Sequence, residues 1–151
     1  NIGDSRVYSW DGISLSQVSV DHSAVQELVD EGVLTASEAA VHPDRNIITR
    51  AIGIEGEVEP DVWLLPAAGD QTFVICSDGL TKELDDLAIT RILEITTAPD
   101  SPADRLVAAA LASGGTDNVT VIVLSSTITS GEVSTASETL PSHLEETLPR
   151  I

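Results

Sequence analysis

The apolar run "FVIC" at positions 73–76 leads directly into Ser77, Asp78 and Gly79, and a helix-like segment follows. A run of this kind predicts a buried strand, so the strand ends on a carboxylate. An Asp-Gly pair is typical of a simple turn, because Asp bonds its own backbone and Gly accepts unusual dihedral angles. A carboxylate at a strand end also suits a metal ion. Both interpretations stay open on this segment alone.

Two further aspartates stand at the borders of apolar, strand-like segments: Asp4 in "GDSR" and Asp117 in "GGTDN". A turn explains each of them taken singly. Strand ends on the same side of a sheet, however, bring distant carboxylates together, and clustered carboxylates repel one another unless a cation lies between them. Oxygen ligands completed by water favour Mg²⁺ or Mn²⁺. Taken together, Asp4, Asp78 and Asp117 are candidate metal ligands.

The rest of the chain alternates between strand and helix patterns. Alternating segments on both sides of Asp11-Gly12 predict a β-hairpin. Helical spacing that stops at Gly32, followed by a capping box of Thr35 and Glu38, predicts a short helical excursion at 21–45. Two strands are predicted between 61 and 76, a helix at 85–94, and a buried strand in "NVTVIVLSS". A further helix is predicted to start with Ser101 as its N-cap and Pro102 as its first residue. The chain is therefore predicted to contain both strands and helices.

The charge balance narrows the possible partners. The chain has 151 residues, of which 25 are acidic and 7 are Lys or Arg, and its net charge is −18. Nucleic acids and anionic membranes bind proteins through Lys and Arg, so we exclude both as partners. Cys76 is the single cysteine, which leaves no internal disulfide and indicates a reducing compartment. We therefore expect a monomeric, cytoplasmic protein.

The two ends of the sequence predict how far the folded part of the chain extends. The chain contains no methionine and opens on "NIGDSRVYSW", which reads as a strand, so we expect a fragment whose N-terminal portion is missing. From 127 to 151 the chain is rich in Ser, Thr, Glu and Pro without an apolar period, which predicts a disordered tail. The folded part is therefore predicted to span residues 1–126.

Five motifs occur in register over most of the chain: "GDSRVY", "DHS", "HPDRNIITRAIG", "FVICSDGL" and "GGTDNVTVIVL". In order and spacing they resemble the metal-dependent protein Ser/Thr phosphatases of the PPM, or type 2C, family, and especially its bacterial branch. The resemblance implies an α+β fold, a layered α-β-β-α sandwich of two antiparallel sheets with outer helices, of which this chain would be the C-terminal portion. It also implies that residues 21–50 form the flap beside the active site.

The resemblance assigns roles to particular residues. The Asp of "SDGL" and the Asp of "DN" are metal ligands in the family, and here they are Asp78 and Asp117. The Asp of "GDSR", here Asp4, helps to hold a third, more labile ion. The implied cofactors are Mn²⁺ or Mg²⁺ ions, which activate a water that attacks phosphorus directly. The implied substrates are phosphoserine and phosphothreonine proteins made by a Ser/Thr kinase.

The family's bridging Asp and phosphate-binding Arg lie upstream of "GDSR", so no catalytic residue is assigned within this sequence and the chain alone is expected to be inactive. Arg6 is interpreted as part of a structural ion pair, and His22 and His42 as solvated or capping residues. One alternative is a non-catalytic, PPM-like binding or sensor module. A simple divalent-cation-binding protein is another, but it predicts loops such as "DxDxDG", which the sequence lacks.

Overall fold

The computed structural model describes residues 1–54, 56–66, 69–96 and 101–127. Within these ranges one antiparallel sheet is formed by four strands: β1 Arg6–Trp10, β2 Leu15–Gln17, β3 Gln71–Cys76 and β4 Val121–Ser126. The strands lie in the order β2-β1-β3-β4. β1 and β2 pair as the hairpin that the sequence predicts around Asp11-Gly12, so that prediction is confirmed.

The described residues also form five helices: α1 Ala24–Asp30, α2 Ala36–Ala40, α3 Asp78–Thr81, α4 Asp86–Ile95 and α5 Pro102–Ser113. Two of these helices, α2 and α5, begin at the caps that the sequence predicts. Thr35 and Glu38 form the capping box of α2, and Ser101 caps α5, whose first residue is Pro102. Side-chain caps of this kind satisfy N–H groups that have no partner inside the helix.

One face of the sheet packs against helices. Successive side chains of a strand point to opposite faces, and the register places Tyr8, Val74 and Cys76 on the same one. Their side chains are buried in a core with residues of the helical part, namely Leu80, Leu84, Ile89, Leu93, Leu106 and Ala110. This core fixes α3, α4 and α5 against the sheet. It thereby also fixes the position of the segment that joins the end of β3 to α3.

The opposite face of the sheet is open in the part of the chain that the structure describes. Ile122 and Leu124 of β4 are 50% and 51% exposed, so the strand predicted as buried is covered on one face only. The reason is that β4 is an edge strand whose alternate side chains point away from the helices. The α+β class and the antiparallel sheet with outer helices are confirmed. Of the two sheets that the resemblance implies, the described residues supply one.

Two further predictions concern segments outside this sheet. A strand predicted at 61–66 is not found, because these residues have no regular structure and Val62 and Leu64 are exposed. The Asp61 N–H donates to the Asn1 carbonyl at 3.0 Å rather than to a strand ladder. The predicted tail beyond Thr127 lies outside the described residues. Among those residues, no helix has the length and apolar character needed to cross a membrane.

Candidate metal site

Three strand ends bring the candidate aspartates to one edge of the sheet. Asp4 precedes β1, Asp78 follows β3 and Asp117 precedes β4. Because β3 is antiparallel to both β1 and β4, its end lies beside their starts. The topology therefore places the three segments together, as the argument from strand ends expects.

Asp78 and Asp117 converge on the same cation, the ammonium group of Lys82. The Lys82 Nζ lies 2.5 Å from Asp78 Oδ2 and 2.7 Å from Asp117 Oδ2. The hydrogen bond from Lys82 lowers the pKa of Asp117, and the two carboxylates, Asp117 foremost, raise the pKa of Lys82. The side chains of Lys82, Asp78 and Asp117 are 27%, 32% and 41% exposed. Two partly solvated carboxylates thus share one positive charge.

The loop before β4 is held to the end of β3 by hydrogen bonds of the Ser77 backbone and hydroxyl. The Ser77 N–H donates to the Thr120 carbonyl at 3.0 Å, and the Ser77 hydroxyl accepts from the Thr120 N–H at 3.0 Å and donates to the Asn118 carbonyl at 3.1 Å. A β-carbon at Gly79 would lie 2.3 Å from the Asn118 carbonyl oxygen. Only glycine fits this close approach, so the "SDG" sequence holds the two loops together.

Glu83 holds the same loop from its other end. The backbone N–H and the hydroxyl of Thr116 both donate to Glu83 Oε1, at 3.0 Å and 2.5 Å. These bonds, the one from the hydroxyl foremost, lower the pKa of Glu83. Asp117 Oδ1 accepts from the Asn118 N–H at 2.8 Å, which leaves Oδ2 to face Lys82. The Asp117 carboxylate is therefore oriented by its own loop as well as by Lys82.

Asp4 lines a cavity of about 590 Å³ together with Asp78 and Lys82. Burial, and after it the charge of Asp78, raises the pKa of the Asp4 carboxyl. A carboxylate that is partly buried beside another carboxylate is stabilised by additional positive charge. Asp4 therefore belongs to the same electrostatic site as Asp78, and Asp117 is joined to that site through Lys82.

His22 fixes the loop that carries Asp4. The Gly3 N–H donates to His22 Nδ1 at 3.0 Å, and His22 Nε2 lies 3.0 Å from Asp61 Oδ2. Because Nδ1 accepts, the ring proton is on Nε2 and is donated to Asp61. Asp61 also pairs with Arg50 Nη1 at 2.7 Å. His22 is buried, so a solvated role is wrong for this residue, and it positions the "GDSR" loop instead.

The remaining residues weighed from the sequence have structural roles. Arg6 binds Asp21 through two nitrogens, Nε at 3.0 Å and Nη2 at 2.7 Å, which confirms the predicted ion pair. His42 Nδ1 accepts from the Asp44 N–H at 3.2 Å, a local contact of a turn. Burial raises the pKa of the Cys76 thiol to about 11, so the thiol stays protonated at neutral pH and is no nucleophile.

The donor set fits part of a divalent-cation site. Mg²⁺ and Mn²⁺ prefer carboxylate oxygens, and Asp78 and Asp117 each direct one such oxygen at a single cation. Asp4 lies in the adjoining cavity. Within the described ranges, however, no group of three or more His, Cys, Asp or Glu side chains is arranged to hold a metal ion. These residues therefore supply part of a coordination shell, and further ligands are needed to complete it.

Comparison with known proteins identifies the kind of chain that carries this site. No family model matches it. It is 38% identical over 124 residues to the serine/threonine phosphatase stp of Listeria welshimeri, an alignment that covers 82% of this chain and 49% of the relative. The solved PPM Ser-Thr phosphatase MsPP from Mycobacterium smegmatis, in complex with cacodylate, is 40% identical with a TM-score of 0.73, over 82% of this chain and 53% of that one.

Over 82% of its length this chain is similar to serine/threonine phosphatases of the PPM family. A further PPM relative of known structure is the catalytic domain of the phosphatase PstP in complex with 2 manganese ions. It is 40% identical, with a TM-score of 0.69 over 82% of this chain and 50% of that one. The chain spans about half the length of the Listeria relatives that it matches. The family predicted from five motifs is therefore confirmed, and the matched chains are about twice as long.

Three residues of this PPM site were not singled out from the sequence. Lys82 follows Asp78 by four positions, a spacing that brings two side chains onto the same side of a helix, and this was the available signal. Gly79 is read from the sequence as a turn residue, and its close approach to another loop is visible only in three dimensions. Glu83 gives no local signal, because its partner Thr116 is 33 positions away.

Proposed function

We propose that the complete protein removes phosphate from phosphoserine and phosphothreonine side chains of proteins, with Mn²⁺ or Mg²⁺ as cofactor. The observation that carries the proposal is the convergence of Asp78 and Asp117 on one cation, at 2.5 Å and 2.7 Å from Lys82 Nζ. The similarity to serine/threonine phosphatases, one of them solved with two manganese ions, supports the same reading.

When bound, the metal ions supply a water of lowered pKa as nucleophile and positive charge for the phosphate oxygens. In this proposal Asp78 and Asp117 are metal ligands, and Asp4 helps to hold a third, more labile ion. Ser77, Gly79 and Glu83 act through them, because they fix the loops that present the ligands. Ligands held in advance need little reorganisation when the ion and the substrate bind.

The cavity beside Asp4 and Asp78 is the proposed entry for the phosphorylated side chain. Its volume of about 590 Å³ lies in the range of ordinary ligand pockets. Val25 and Val29 of α1 line it together with Asp78 and Leu84. This placement supports a role for residues 21–50 as a flap that contacts the substrate.

We further propose that residues 1–126 are part of the catalytic domain. The substrates would be proteins phosphorylated by a Ser/Thr kinase in the same cytoplasm, and the enzyme would act as a monomer. With a net charge of −18 the chain repels phosphoproteins, so bound dications are needed to reverse the field at the site.

The test is the Mn²⁺-dependent hydrolysis of a phosphothreonine peptide by the complete protein. We expect Asp78→Asn and Asp117→Asn to lower the rate about a hundredfold or more, because each removes a charge from a dication site, and Asp4→Asn to lower it less. Asp11→Asn is the matched control, since Asp11 is an exposed aspartate of the hairpin. Chelation of the metal should abolish activity, and renewed Mn²⁺ should restore it.

Two results would contradict the proposal. Near-normal activity of Asp78→Asn would mean that this carboxylate only closes a turn. A complete protein that stays inactive in excess Mn²⁺, while it is folded, would favour the non-catalytic module of the same fold.

A further inference from the structure

Lys82 is the residue that connects the two proposed metal ligands, Asp78 and Asp117. It is the only lysine among 151 residues, and its Nζ contacts both proposed metal ligands at hydrogen-bond distance. Two other cationic residues, Arg6 and Arg45, line the cavity, but their guanidinium groups contact other partners. Arg6 is paired with Asp21, and Arg45 donates to the His42 carbonyl at 3.4 Å. Lys82 is thus the cation that neutralises the Asp78 and Asp117 pair.

An ammonium group and a metal ion cannot both occupy the space between these two carboxylate oxygens. Lys82 Nζ lies 2.5 Å and 2.7 Å from them. A small divalent cation such as Mg²⁺ binds its oxygen ligands at about 2.0–2.1 Å. An ion ligated by the same two Oδ2 atoms therefore has to displace the ammonium, and the displaced charge stays close by because the side chain is tethered.

The lysine side chain has the properties that such an exchange requires. Its ammonium is a compact point charge on a flexible four-carbon stem. The side chain is 27% exposed, so it has solvent to move into. It follows α3 and lines the cavity, and the contacts of Ser77, Gly79 and Glu83 with the Asp117 loop do not involve its ammonium. The carboxylates can therefore exchange one cation for another without a change of the loops.

We propose that Lys82 is a positioning residue for the metal ligands Asp78 and Asp117: it holds the two carboxylates together until a metal ion replaces its ammonium, and its charge weakens the binding of that ion. This inference rests on the proposed metal site. Lys82 lowers the repulsion between the two carboxylates in the metal-free protein, and it competes with the ion that they bind. Both effects have the same origin, one positive charge between two negative ones.

The test is a pair of measurements on the complete protein with Lys82→Gln. We expect Lys82→Gln to bind Mn²⁺ on the order of tenfold more tightly in a calorimetric titration, because a competing charge is gone. In the presence of a chelator the same variant should melt at a lower temperature than the parent, because its two carboxylates are left unpaired. A role confined to an ordinary surface ion pair would lower the melting temperature slightly and leave the affinity for Mn²⁺ unchanged.

Two controls separate the local effect from net charge and from side-chain size. Arg91→Gln removes the same charge from the exposed side of α4 and should leave the Mn²⁺ affinity at the parental value. Lys82→Arg keeps the charge and should leave the affinity within a few-fold of the parent. A third readout is the NMR signal of lysine labelled with ¹³C, in which the Lys82 resonance is assigned by its loss in Lys82→Gln. This resonance should shift on titration with diamagnetic Mg²⁺.

The outcomes distinguish this inference from the proposed function. If the parent binds Mn²⁺ and Lys82→Gln binds it no more tightly, Lys82 does not compete and the inference is wrong, while the metal site stands. A Lys82 resonance that stays fixed at saturating Mg²⁺ leads to the same conclusion. If the folded parent binds neither Mn²⁺ nor Mg²⁺, the proposed metal site itself is wrong and the inference is lost with it.

Discussion

The chain contains two Asp-Gly pairs that follow apolar segments, and they have formed different structures. Asp11-Gly12 closes a hairpin: Asp11 Oδ1 accepts from the N–H groups of Ile13 and Ser14 at 2.9 Å and 2.8 Å, and Gly12 has a φ of 94°. Asp78-Gly79 opens a helix instead. Asp78 Oδ2 faces Lys82, and a β-carbon at Gly79 would collide with the carbonyl of a distant loop.

The difference distinguishes an Asp-Gly pair that closes a local turn from one that belongs to the candidate metal site. At the hairpin, the carboxylate satisfies neighbouring backbone and the glycine supplies a left-handed dihedral angle with open space around it. At Asp78-Gly79, Asp78 shares the Lys82 ammonium with Asp117, and Gly79 lies against the Asn118 carbonyl. Both partners belong to a segment far along the chain, since Ser77 and Asn118 are 41 positions apart. The same dipeptide is explained by local chemistry in one place and by tertiary contacts in the other.

The largest contrast is expected for the two glycines. Gly79→Ala places a methyl group 2.3 Å from the Asn118 carbonyl oxygen, so the loop before β4 has to move. We expect a loss of about 3 kcal/mol in the free energy of unfolding, together with loss of metal-dependent activity. Gly12→Ala strains the backbone and should cost about 1–2 kcal/mol with activity unchanged. Chemical denaturation and a phosphatase assay of the complete protein measure both effects.

Gly56→Ala is the matched control for this pair. Gly56 has open space around it and an ordinary φ, so the change should be close to neutral. Equal losses of stability and activity at Gly79 and Gly12 would remove the distinction between the two Asp-Gly pairs.

A smaller effect is expected at Ser77. Ser77→Ala removes the hydroxyl that accepts from Thr120 and donates to Asn118, which should cost about 1 kcal/mol and weaken Mn²⁺ binding through a looser Asp117 loop. Ser14 serves as the comparison in the hairpin, because its backbone N–H rather than its hydroxyl contacts Asp11. Ser14→Ala should therefore leave stability and metal binding unchanged. An unchanged Mn²⁺ affinity in Ser77→Ala would mean that the Ser77 hydroxyl is not needed to position Asp117.

The smallest expected effect is a difference in the sign of pH dependence. The N–H groups of Ser14 and Ile13 lower the pKa of Asp11, so its contribution to stability is present above its ordinary pKa of 3.8 and is lost as the pH falls. Burial and Asp78 raise the pKa of Asp4, so its protonated form is favoured in the folded protein. Stability from Asp4 is therefore present below 3.8 and is lost as the pH rises through the folded-state pKa.

Melting temperatures of the asparagine variants in chelator test this contrast. At about pH 7, Asp4→Asn should melt above the parent and Asp11→Asn slightly below it, and both differences should shrink at about pH 3. If Asp4→Asn lowers the melting temperature at neutral pH, the ionised Asp4 carboxylate is stabilised by its surroundings. The repulsion between Asp4 and Asp78 is then weaker than we infer.

Much of the fold follows from local signals in the sequence. The hairpin at Asp11-Gly12, the capping box of Thr35 and Glu38, and the Ser101-Pro102 start of α5 are all found where their patterns predict them. Such signals act within a few residues, so the sequence contains both partners. The gathering of three aspartates at one edge of the sheet could also be predicted, because it depends only on which strands end where.

The remaining features depend on partners that are distant in the chain. Val62 to Leu65 have strand-like composition but no strand partner within the described ranges, and burial rather than composition decides whether such a segment pairs. The open face of β4 reflects which helices cover the sheet, which local patterns do not determine. The solvated role considered for His22 was wrong for the same reason, since its partners Gly3 and Asp61 are 19 and 39 positions away.

The central claim is that Asp78 binds metal while Asp11, in the same dipeptide, only closes a turn. A calorimetric Mn²⁺ titration of the complete protein, its Asp78→Asn variant and its Asp11→Asn variant tests this most directly. We expect Asp78→Asn to bind Mn²⁺ at least about tenfold more weakly than the parent, and Asp11→Asn to bind it equally well. Asp78→Asn with parental Mn²⁺ affinity would contradict the account and make the two Asp-Gly pairs equivalent.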